Sequence, residues 1–378
     1  MKDKRSRWSR ALLLGSMCSV SLAVWVSLGA NVWRQFNGAP WPAEARGSRP
    51  EEGPVKVKGV RTIKIDAPTY ATILAWAPDS QRLAVGGSLD KRVSVWDVRT
   101  GRRLPGPAEQ NGGPQALAYS PDGLYLAVAR GGVRFRGDVP VPTGPERYVV
   151  SLWDARSGAW VQNLVDETQE IGTFIVTSMA FSPDSQYFVA NYTGGLGFYS
   201  KDVGGWRRVG ALAPNASQVA FSPDGTRLVG TTGKEILVYE VPSGQVLARW
   251  PGLRAGIESG LRTLSYRPDG SQIAVGEGAR LGFFQPSGGG LIKILEPAPP
   301  YFVKGLSYAP NSLYVAIGVA SAAHLVNAAS FGTVAILTEH QHTVDRLALS
   351  PDGTLLAAIG GPTITIWELS GLERSASE

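Results

Sequence analysis

The sequence contains a single cysteine, Cys18, and only three histidines among its 378 residues. One cysteine cannot form an intramolecular disulfide, so the fold must be stabilised by packing. So few histidines leave little material for a metal centre or for acid–base catalysis. The Gly-x-Ser-x-Gly motif of a nucleophilic serine is also absent. We therefore predict a protein that is not an enzyme, with no metal site, no cofactor and no small-molecule ligand.

Basic residues are in excess only in the N-terminal part of the chain. Residues 1–64 carry 12 Lys and Arg against 4 acids, whereas the remaining residues carry 25 against 27. The basic pI of about 9.4 therefore reflects the first 64 residues. A nucleic-acid-binding domain is expected to be basic overall. The rest of the chain has no such excess, so we expect no nucleic-acid partner.

A short turn motif, Pro-Asp-Gly or a near copy of it, recurs seven times. The prolines of successive copies are 43, 62, 40, 45, 42 and 41 residues apart. A spacing near 42 residues means that one supersecondary unit is repeated along the chain. The copies are Pro78-Asp79-Ser80, Pro121-Asp122-Gly123, Pro183-Asp184-Ser185, Pro223-Asp224-Gly225, Pro268-Asp269-Gly270, Pro310-Asn311-Ser312 and Pro351-Asp352-Gly353.

The residues around each copy indicate what is repeated. In the fourth unit, residues 218–221 precede the turn and residues 227–229 follow it, and both are short runs typical of strands. Proline presets one turn position, aspartate accepts local backbone bonds, and glycine tolerates a positive φ. A second turn follows the third strand, as at residues 97–101 and 154–158. Four strands in each of seven units predict an all-β, seven-bladed β-propeller of four-stranded antiparallel blades.

Several of these repeats resemble the WD40-repeat family. Val95-Trp96-Asp97 and Leu152-Trp153-Asp154 are similar to the Trp-Asp ending of a WD40 repeat, and Ile366-Trp367-Glu368 is a near variant. The resemblance covers roughly residues 59–370, and it implies a rigid platform for protein partners. The Gly-His pair that often opens a WD40 repeat is missing, apart from a loose echo at His340-Gln341-His342. Propellers of the TolB-like type are the alternative subfamily.

The ring is expected to close with a strand from the start of the propeller. The third strand of the last repeat, residues 363–368, is followed by a short polar tail, residues 371–378. Residues 60–65 alternate apolar and polar side chains, as a half-buried strand does. We therefore predict that residues 60–65 supply the outer strand of blade 7. Such closure removes the open edges of the array.

The N-terminal residues predict a membrane anchor that precedes the propeller. Residues 11–33 carry no charge and are long enough to cross a bilayer core as one transmembrane helix. The preceding tail, residues 1–10, is basic, which favours a cytoplasmic N-terminus and a propeller on the extracytoplasmic side. A cleaved signal peptide ending near Ala30 is the alternative. The predicted membrane-interface residues are Trp8, Arg10, Trp33 and Arg34.

Residues 34–58 are rich in proline and glycine and show no apolar period. This composition is typical of an extended linker. It would separate the propeller, residues 59–370, from the membrane surface.

One repeat is longer than the others by about 20 residues, because residues 131–148 are inserted between the second and third strands of blade 2. In WD40-like propellers, loops at this position lie on the face that most often receives partners. Arg and aromatic side chains are enriched at interfaces. A tolerated surface insertion is the alternative, since loops accept extra length at little cost. The predicted partner-binding residues are Arg134, Phe135, Arg136, Arg147 and Tyr148.

The sequence as a whole predicts a membrane-tethered propeller that acts as a scaffold or assembly platform for protein partners it does not identify. An exported propeller enzyme, either a hydrolase or a quinone-linked oxidoreductase, is the alternative from another class. An envelope sensor or assembly factor is a further alternative that differs only in its partner. His340 and His342 stand two residues apart and could supply two metal ligands, but a solvated loop between blades 6 and 7 is the preferred interpretation.

Overall fold

The computed structural model of the protein describes residues 56–64, 71–87, 92–108, 113–131, 134–136, 139–141, 148–167, 176–192, 195–212, 216–253, 263–297 and 302–370. Within these ranges the regular secondary structure consists of 30 β-strands. They form seven four-stranded antiparallel sheets and one two-stranded hairpin. The predicted seven-bladed β-propeller with four strands in each blade is therefore confirmed.

The first half of the described chain forms a strand that precedes the blades, followed by blades 1 to 3. The leading strand is β1 (Lys56–Lys64). Blade 1 contains β2 (Ile73–Trp76), β3 (Arg82–Gly86), β4 (Ser94–Asp97) and β5 (Arg102–Leu104). Blade 2 contains β6 (Gly113–Tyr119), β7 (Tyr125–Gly131), β10 (Tyr148–Asp154) and β11 (Trp160–Glu167), with the hairpin of β8 (Arg134–Arg136) and β9 (Val139–Val141) inserted after β7. Blade 3 contains β12 (Val176–Phe181), β13 (Tyr187–Tyr192), β14 (Gly195–Asp202) and β15 (Gly205–Leu212).

Blades 4 to 7 follow in the same order. Blade 4 contains β16 (Gln218–Phe221), β17 (Arg227–Thr231), β18 (Glu235–Glu240) and β19 (Val246–Pro251). Blade 5 contains β20 (Thr263–Tyr266), β21 (Ile273–Glu277), β22 (Arg280–Phe284) and β23 (Leu291–Leu295). Blade 6 contains β24 (Val303–Tyr308), β25 (Tyr314–Val319), β26 (Ala322–Asn327) and β27 (Thr333–Leu337). Blade 7 contains β28 (Arg346–Leu349), β29 (Leu355–Gly360) and β30 (Thr363–Ser370), and β1 completes it.

The blades form a closed ring around their first strands. Each first strand contacts the first strand of the next blade, and β28 contacts β2. The buried apolar side chains form seven clusters, one between each pair of neighbouring blades; Val229, Ile236 and Phe284, for example, join blades 4 and 5. Inner strands are therefore buried on both faces, as in β25, whose six residues are all buried. The apolar burial that stabilises the ring is spread over all seven clusters.

The predicted closure of the ring is confirmed. β1 pairs antiparallel with β30, from Lys56 opposite Ser370 to Lys64 opposite Thr363. Ile63 is buried in the cluster between blades 7 and 1. Arg61 extends the contact to blade 1, since its guanidinium donates to the carbonyls of Val98 and Arg99. The strand begins at Lys56, within the segment predicted as linker 34–58.

The repeated turn has the geometry that its residues predict. In blade 4 the Ser222 hydroxyl donates to Asp224 Oδ1 at 2.5 Å, and the same oxygen accepts the Thr226 N–H at 3.0 Å. Gly225 has a φ of 71°, which a residue without Cβ adopts without strain. These bonds fix the turn that joins the first and second strands of the blade.

The predicted transmembrane segment, residues 11–33, lies outside the described residues, as do the predicted interface residues Trp8, Arg10, Trp33 and Arg34. The residues that the structure does describe include no helix with the length and apolar character needed for a bilayer crossing.

Candidate protein-binding surface

The strand order divides the loops of each blade between two faces of the ring. Successive strands of a blade are antiparallel. The turns after the first and third strands therefore lie on one face, which we name the turn face. The loop after the second strand and the connection to the next blade lie on the opposite face, which we name the connector face.

The long insertion of blade 2 forms a separate hairpin on the connector face. β8 pairs with β9 in the register Arg134 opposite Val141 and Arg136 opposite Val139. The flanking strands β7 and β10 pair directly, with Ala129 opposite Val150, so the blade continues undisturbed below the hairpin. The insertion thus adds an ordered two-stranded element to one face without altering the sheet that carries it.

The predicted partner-binding residues have different positions around this hairpin. Arg134, Phe135 and Arg136 are the three residues of β8, and positions 134 and 136 share one face of the ribbon because a strand alternates its sides. Tyr148 is the first residue of β10 and lies opposite Glu167 of β11. Arg147 lies outside the described residues.

A second group of polar and aromatic residues, exposed or half-buried, lies at the centre of the connector face, where blades 6 and 7 meet. Phe302, just before β24, is 41% exposed. The Lys304 ammonium lies 2.8 Å from a carboxylate oxygen of Asp345. The exposed Arg346 guanidinium donates to the carbonyl oxygens of Lys304, at 3.2 Å, and of Asp345, at 3.0 Å. We name these four residues the blade 6–7 cluster; its arginine is held in one orientation before any partner binds.

Sequence reasoning missed this cluster, although a signal for it exists. Lys304 and Asp345 each stand six residues before the proline of their turn motif, the position that Gln115 and Thr177 occupy in blades 2 and 3. The structure places this repeat position at the connector-face end of the first strand. At Gln115 the side chain joins neighbouring blades, because its Oε1 accepts the Val176 N–H at 2.9 Å. Reading one repeat position through all seven copies would have identified a polar ring around the centre.

The two histidines considered as metal ligands have different environments. His340 is 3% exposed, and its Nδ1 lies 2.8 Å from the hydroxyl of Thr365 on β30. Burial, with a smaller effect of His342, lowers the pKa of His340 to about 4, so the imidazole is neutral. The interpretation of residues 340–342 as a solvated loop is therefore wrong for His340, whereas His342 is exposed. In the described parts of the chain, no three or more His, Cys, Asp or Glu residues are grouped as a metal site requires.

Comparisons with known proteins agree with this geometry. The family model of the WD domain, G-beta repeat (WD40), matches residues 62–97 and 331–368. Pre-mRNA-processing factor 19 homolog 2 of Arabidopsis thaliana is 28% identical over 169 residues, which cover 44% of this chain and 27% of that protein. WD repeat-containing protein SL1-17 of Schistosoma mansoni is 24% identical over 166 residues, 44% of this chain and 49% of that protein. The aligned part thus spans less than half of either relative.

Proposed function

Because this chain belongs to the WD40-repeat family, we propose that it is a non-catalytic scaffold that binds a protein partner through its connector face. The β8–β9 hairpin is the observation that carries this proposal. It is the one insertion that departs strongly from the repeat spacing, and it adds paired strands to a single face. A tolerated insertion requires no internal pairing, whereas a binding element gains from being ordered in advance.

Two features of the described residues support the connector face as the binding surface. The hairpin contributes arginines at positions 134 and 136, and the blade 6–7 cluster contributes Phe302 and the oriented Arg346. Aromatic and Arg side chains supply much of the binding energy at protein interfaces. A closed ring also presents both groups from one rigid body, so little conformational entropy is lost on association.

The same proposal places the scaffold at a membrane. Residues 11–33 are long and apolar enough to cross a bilayer, and the basic residues before them favour a cytoplasmic N-terminus. The propeller would then lie on the extracytoplasmic side, joined to its anchor by residues 34–55.

The register of blade 2 permits a sharp test of the hairpin. Ala129 lies opposite Val150, and continuing this antiparallel register by two residues would set Gly131 opposite Tyr148. Replacing residues 132–147 by Asn-Gly should therefore close the strands with a two-residue turn and leave the blade intact. We expect partners cross-linked to the full-length chain to be lost from this variant and retained by Lys234→Ala, an exposed change on the same face of blade 4. Recovery of the same partners in the same yield without the hairpin would contradict the proposal.

A further inference from the structure

Exposed apolar side chains lie on the turn face at the junction of blades 2 and 3. Leu124, which follows the Pro-Asp-Gly turn of blade 2, is 52% exposed, and Trp160, which follows the next turn of that blade, is 56% exposed. Val203, in the turn between β14 and β15 of blade 3, is fully exposed. Exposed large apolar side chains on adjacent turns are the kind of surface that marks an interaction site when they lie together.

Contacts between blades 2 and 3 join residues close in sequence to these three side chains. The Lys201 ammonium lies 3.4 Å from a carboxylate oxygen of Asp122. Leu124 and Val203 each follow one member of this ion pair by two residues. Gln162, two residues after Trp160, donates to the Trp206 carbonyl at 2.6 Å and accepts its N–H at 3.1 Å.

Basic residues border this apolar region on the same face. The turn segments after the third strands of blades 1, 2 and 3, residues 97–103, 154–160 and 201–208, contain seven Lys and Arg against three Asp. The corresponding segments of blades 4, 5 and 6, residues 240–247, 284–291 and 327–333, contain no Lys or Arg and one Glu. The positive charge is therefore a local property of blades 1–3, since residues 59–370 as a whole carry nearly equal numbers of basic and acidic residues.

The acids of these segments are already engaged, whereas several cations are not. Asp97 accepts hydrogen bonds from the Thr100 backbone and hydroxyl, and Asp154 accepts the equivalent bonds from Ser157. Within the described residues, four exposed guanidinium groups donate no hydrogen bond and lie in no ion pair of 4.0 Å or less: Arg99, Arg102, Arg103 and Arg156. The hydrogen bonds from Thr100 and Ser157 lower the pKa of Asp97 and Asp154, and the charges of Arg99 and Arg156 nevertheless add to this effect. We name Leu124, Trp160, Val203 and the three basic segments the turn-face patch.

The course of the chain relates this patch to the proposed anchor. β1 begins at Lys56 opposite Ser370, the last residue of β30, so the chain enters the propeller from the turn face. The contact of Arg61 with the carbonyls of Val98 and Arg99 places β1 against the blade 1 turn that starts the patch. The first described strand, β1, thus begins on the face that carries the patch.

We propose that the turn-face patch binds the surface of a membrane that contains anionic lipids, and this inference rests on the membrane tethering proposed above. Apolar side chains on protruding turns can enter the headgroup region, where a tryptophan is also favoured. Arginines beside them attract anionic headgroups. An acidic protein segment would be attracted by the same charges, but the fully exposed Val203 side chain adds an apolar contact that suits the headgroup region. This orientation leaves the connector face directed away from the membrane and free for a protein partner.

A probe at position 203 tests this proposal in the full-length chain. Cys18→Ser removes the one native thiol, and Val203→Cys then allows labelling with an environment-sensitive NBD fluorophore. In proteoliposomes with about 30% phosphatidylglycerol we expect blue-shifted emission and quenching by doxyl-labelled lipids, and neither effect in pure phosphatidylcholine. Charge reversal by Arg102→Glu, Arg103→Glu and Arg156→Glu should reduce the quenched fraction by about tenfold or more. The matched control is Ser243→Cys, in the turn segment of blade 4 that contains no Lys or Arg, and it should report water in both membranes.

Two outcomes would overturn the proposal. One is emission at position 203 that is the same in anionic and neutral membranes, and the other is a shift that appears only when an acidic polypeptide such as polyglutamate is added. Resistance of the protein to carbonate extraction is measured on the same proteoliposomes and reports the anchor alone. If carbonate extracts the chain, the anchor has failed. The labelled protein is then sedimented with preformed anionic vesicles, an assay that reports the patch without the anchor, so the two failures remain distinguishable.

Discussion

The backbone N–H of Asp352 donates a 3.0 Å hydrogen bond to the hydroxyl oxygen of Ser80, 272 residues away in the chain. Ser80 is the third residue of the blade 1 turn and has a φ of 58°. The same bond joins Asp122 to Ser185 and Asp269 to Ser312, both at 3.0 Å. The three turn copies that carry serine in place of glycine therefore each connect one blade to the preceding one, and the first of them connects the two ends of the ring.

This geometry predicts different effects for two substitutions at position 80. Ser80→Gly keeps the positive φ but removes the hydrogen bond to Asp352, which should lower the free energy of unfolding by about 1 kcal/mol. Ser80→Ala removes the bond and retains a Cβ in the left-handed region, so it should lower stability by at least as much. Urea unfolding of the full-length chain measures both changes. The control is Ser271→Ala, since the exposed Ser271 hydroxyl bonds only Asp269 of its own turn; an equal loss in the control would remove any special role from the bond between blades.

The number of blades and the closing strand could be predicted because a local sequence pattern indicates each of them. The turn spacing counts the blades, and the alternation of residues 60–65 identifies a half-buried strand without reference to its partner. Ser80 shows where such reasoning stops. In the sequence Ser80 is only a departure from the Pro-Asp-Gly motif. Its role depends on the backbone N–H of Asp352, which only the closed ring brings near.

The candidate site was predictable only in part, for a related reason. The insertion of blade 2 is visible as an irregular spacing, so its position between the second and third strands followed from the sequence. Neither the orientation of Arg346 nor the burial of His340 could be inferred in this way. Arg346 is oriented by the Lys304 carbonyl of another blade, and His340 is buried against Thr365, so both depend on contacts between distant segments.

The closing strand should be necessary for a stable ring. Deleting residues 1–66 removes β1 with its buried Ile63 and leaves β30 as an open edge, whereas deleting residues 1–50 keeps the whole strand. We expect the longer deletion to lose several kcal/mol of stability, from lost backbone bonds and lost apolar burial, and to aggregate. Thermal melting and size-exclusion chromatography of the two truncations measure these effects. Equal melting temperatures and equally monomeric profiles would contradict the role of β1.

The free energy of unfolding should decrease as the pH is lowered from 7 to 5, because buried histidine side chains titrate in this range. Burial lowers the pKa of His340 to about 4, below the value near 6.5 expected in the unfolded chain. Between these values the unfolded state binds a proton that the folded state does not, so this contribution to stability is complete above the unfolded pKa and is lost as pH falls. The loss should be about 2 kcal/mol between pH 7 and pH 5 for each such histidine, and His324, whose pKa burial also lowers to about 4, adds to it.

Substitution separates the effect of His340 from other acid-sensitive groups. His340→Asn should reduce the slope of unfolding free energy against pH in this window, whereas His342→Asn, at an exposed position, should not. Carboxylates such as Asp154, whose pKa is lowered by hydrogen bonds from Ser157, contribute above their own unfolded pKa, near 4, and are lost at lower pH. Denaturant unfolding at a series of pH values gives both slopes, and identical slopes for the two variants would exclude His340 as the titrating group.

The anchor predicted at residues 11–33 determines how the chain should fractionate. The uncharged segment and the basic residues before it predict that the full-length protein stays with membranes after carbonate washing. Protease added to the outside of intact cells or spheroplasts should reach the propeller. A soluble product that begins near Asn31 would instead identify the segment as a cleaved signal peptide.

The hairpin arginines should affect partner binding without affecting the fold. Replacing Arg134, Arg136 and Arg147 by Ala changes the insertion and leaves β7 and β10 paired. The free energy of unfolding should therefore change by less than about 0.5 kcal/mol. Recovery of cross-linked partners should nevertheless fall sharply, because an arginine at the centre of an interface can contribute on the order of 2 kcal/mol. Quantitative mass spectrometry of captured proteins measures this loss, with Lys234→Ala as the control on the same face.

If the triple variant captures the same partners in the same yield, the binding site must lie elsewhere on the connector face. Arg346→Ala in the blade 6–7 cluster then becomes the deciding variant, because its guanidinium is oriented independently of the hairpin.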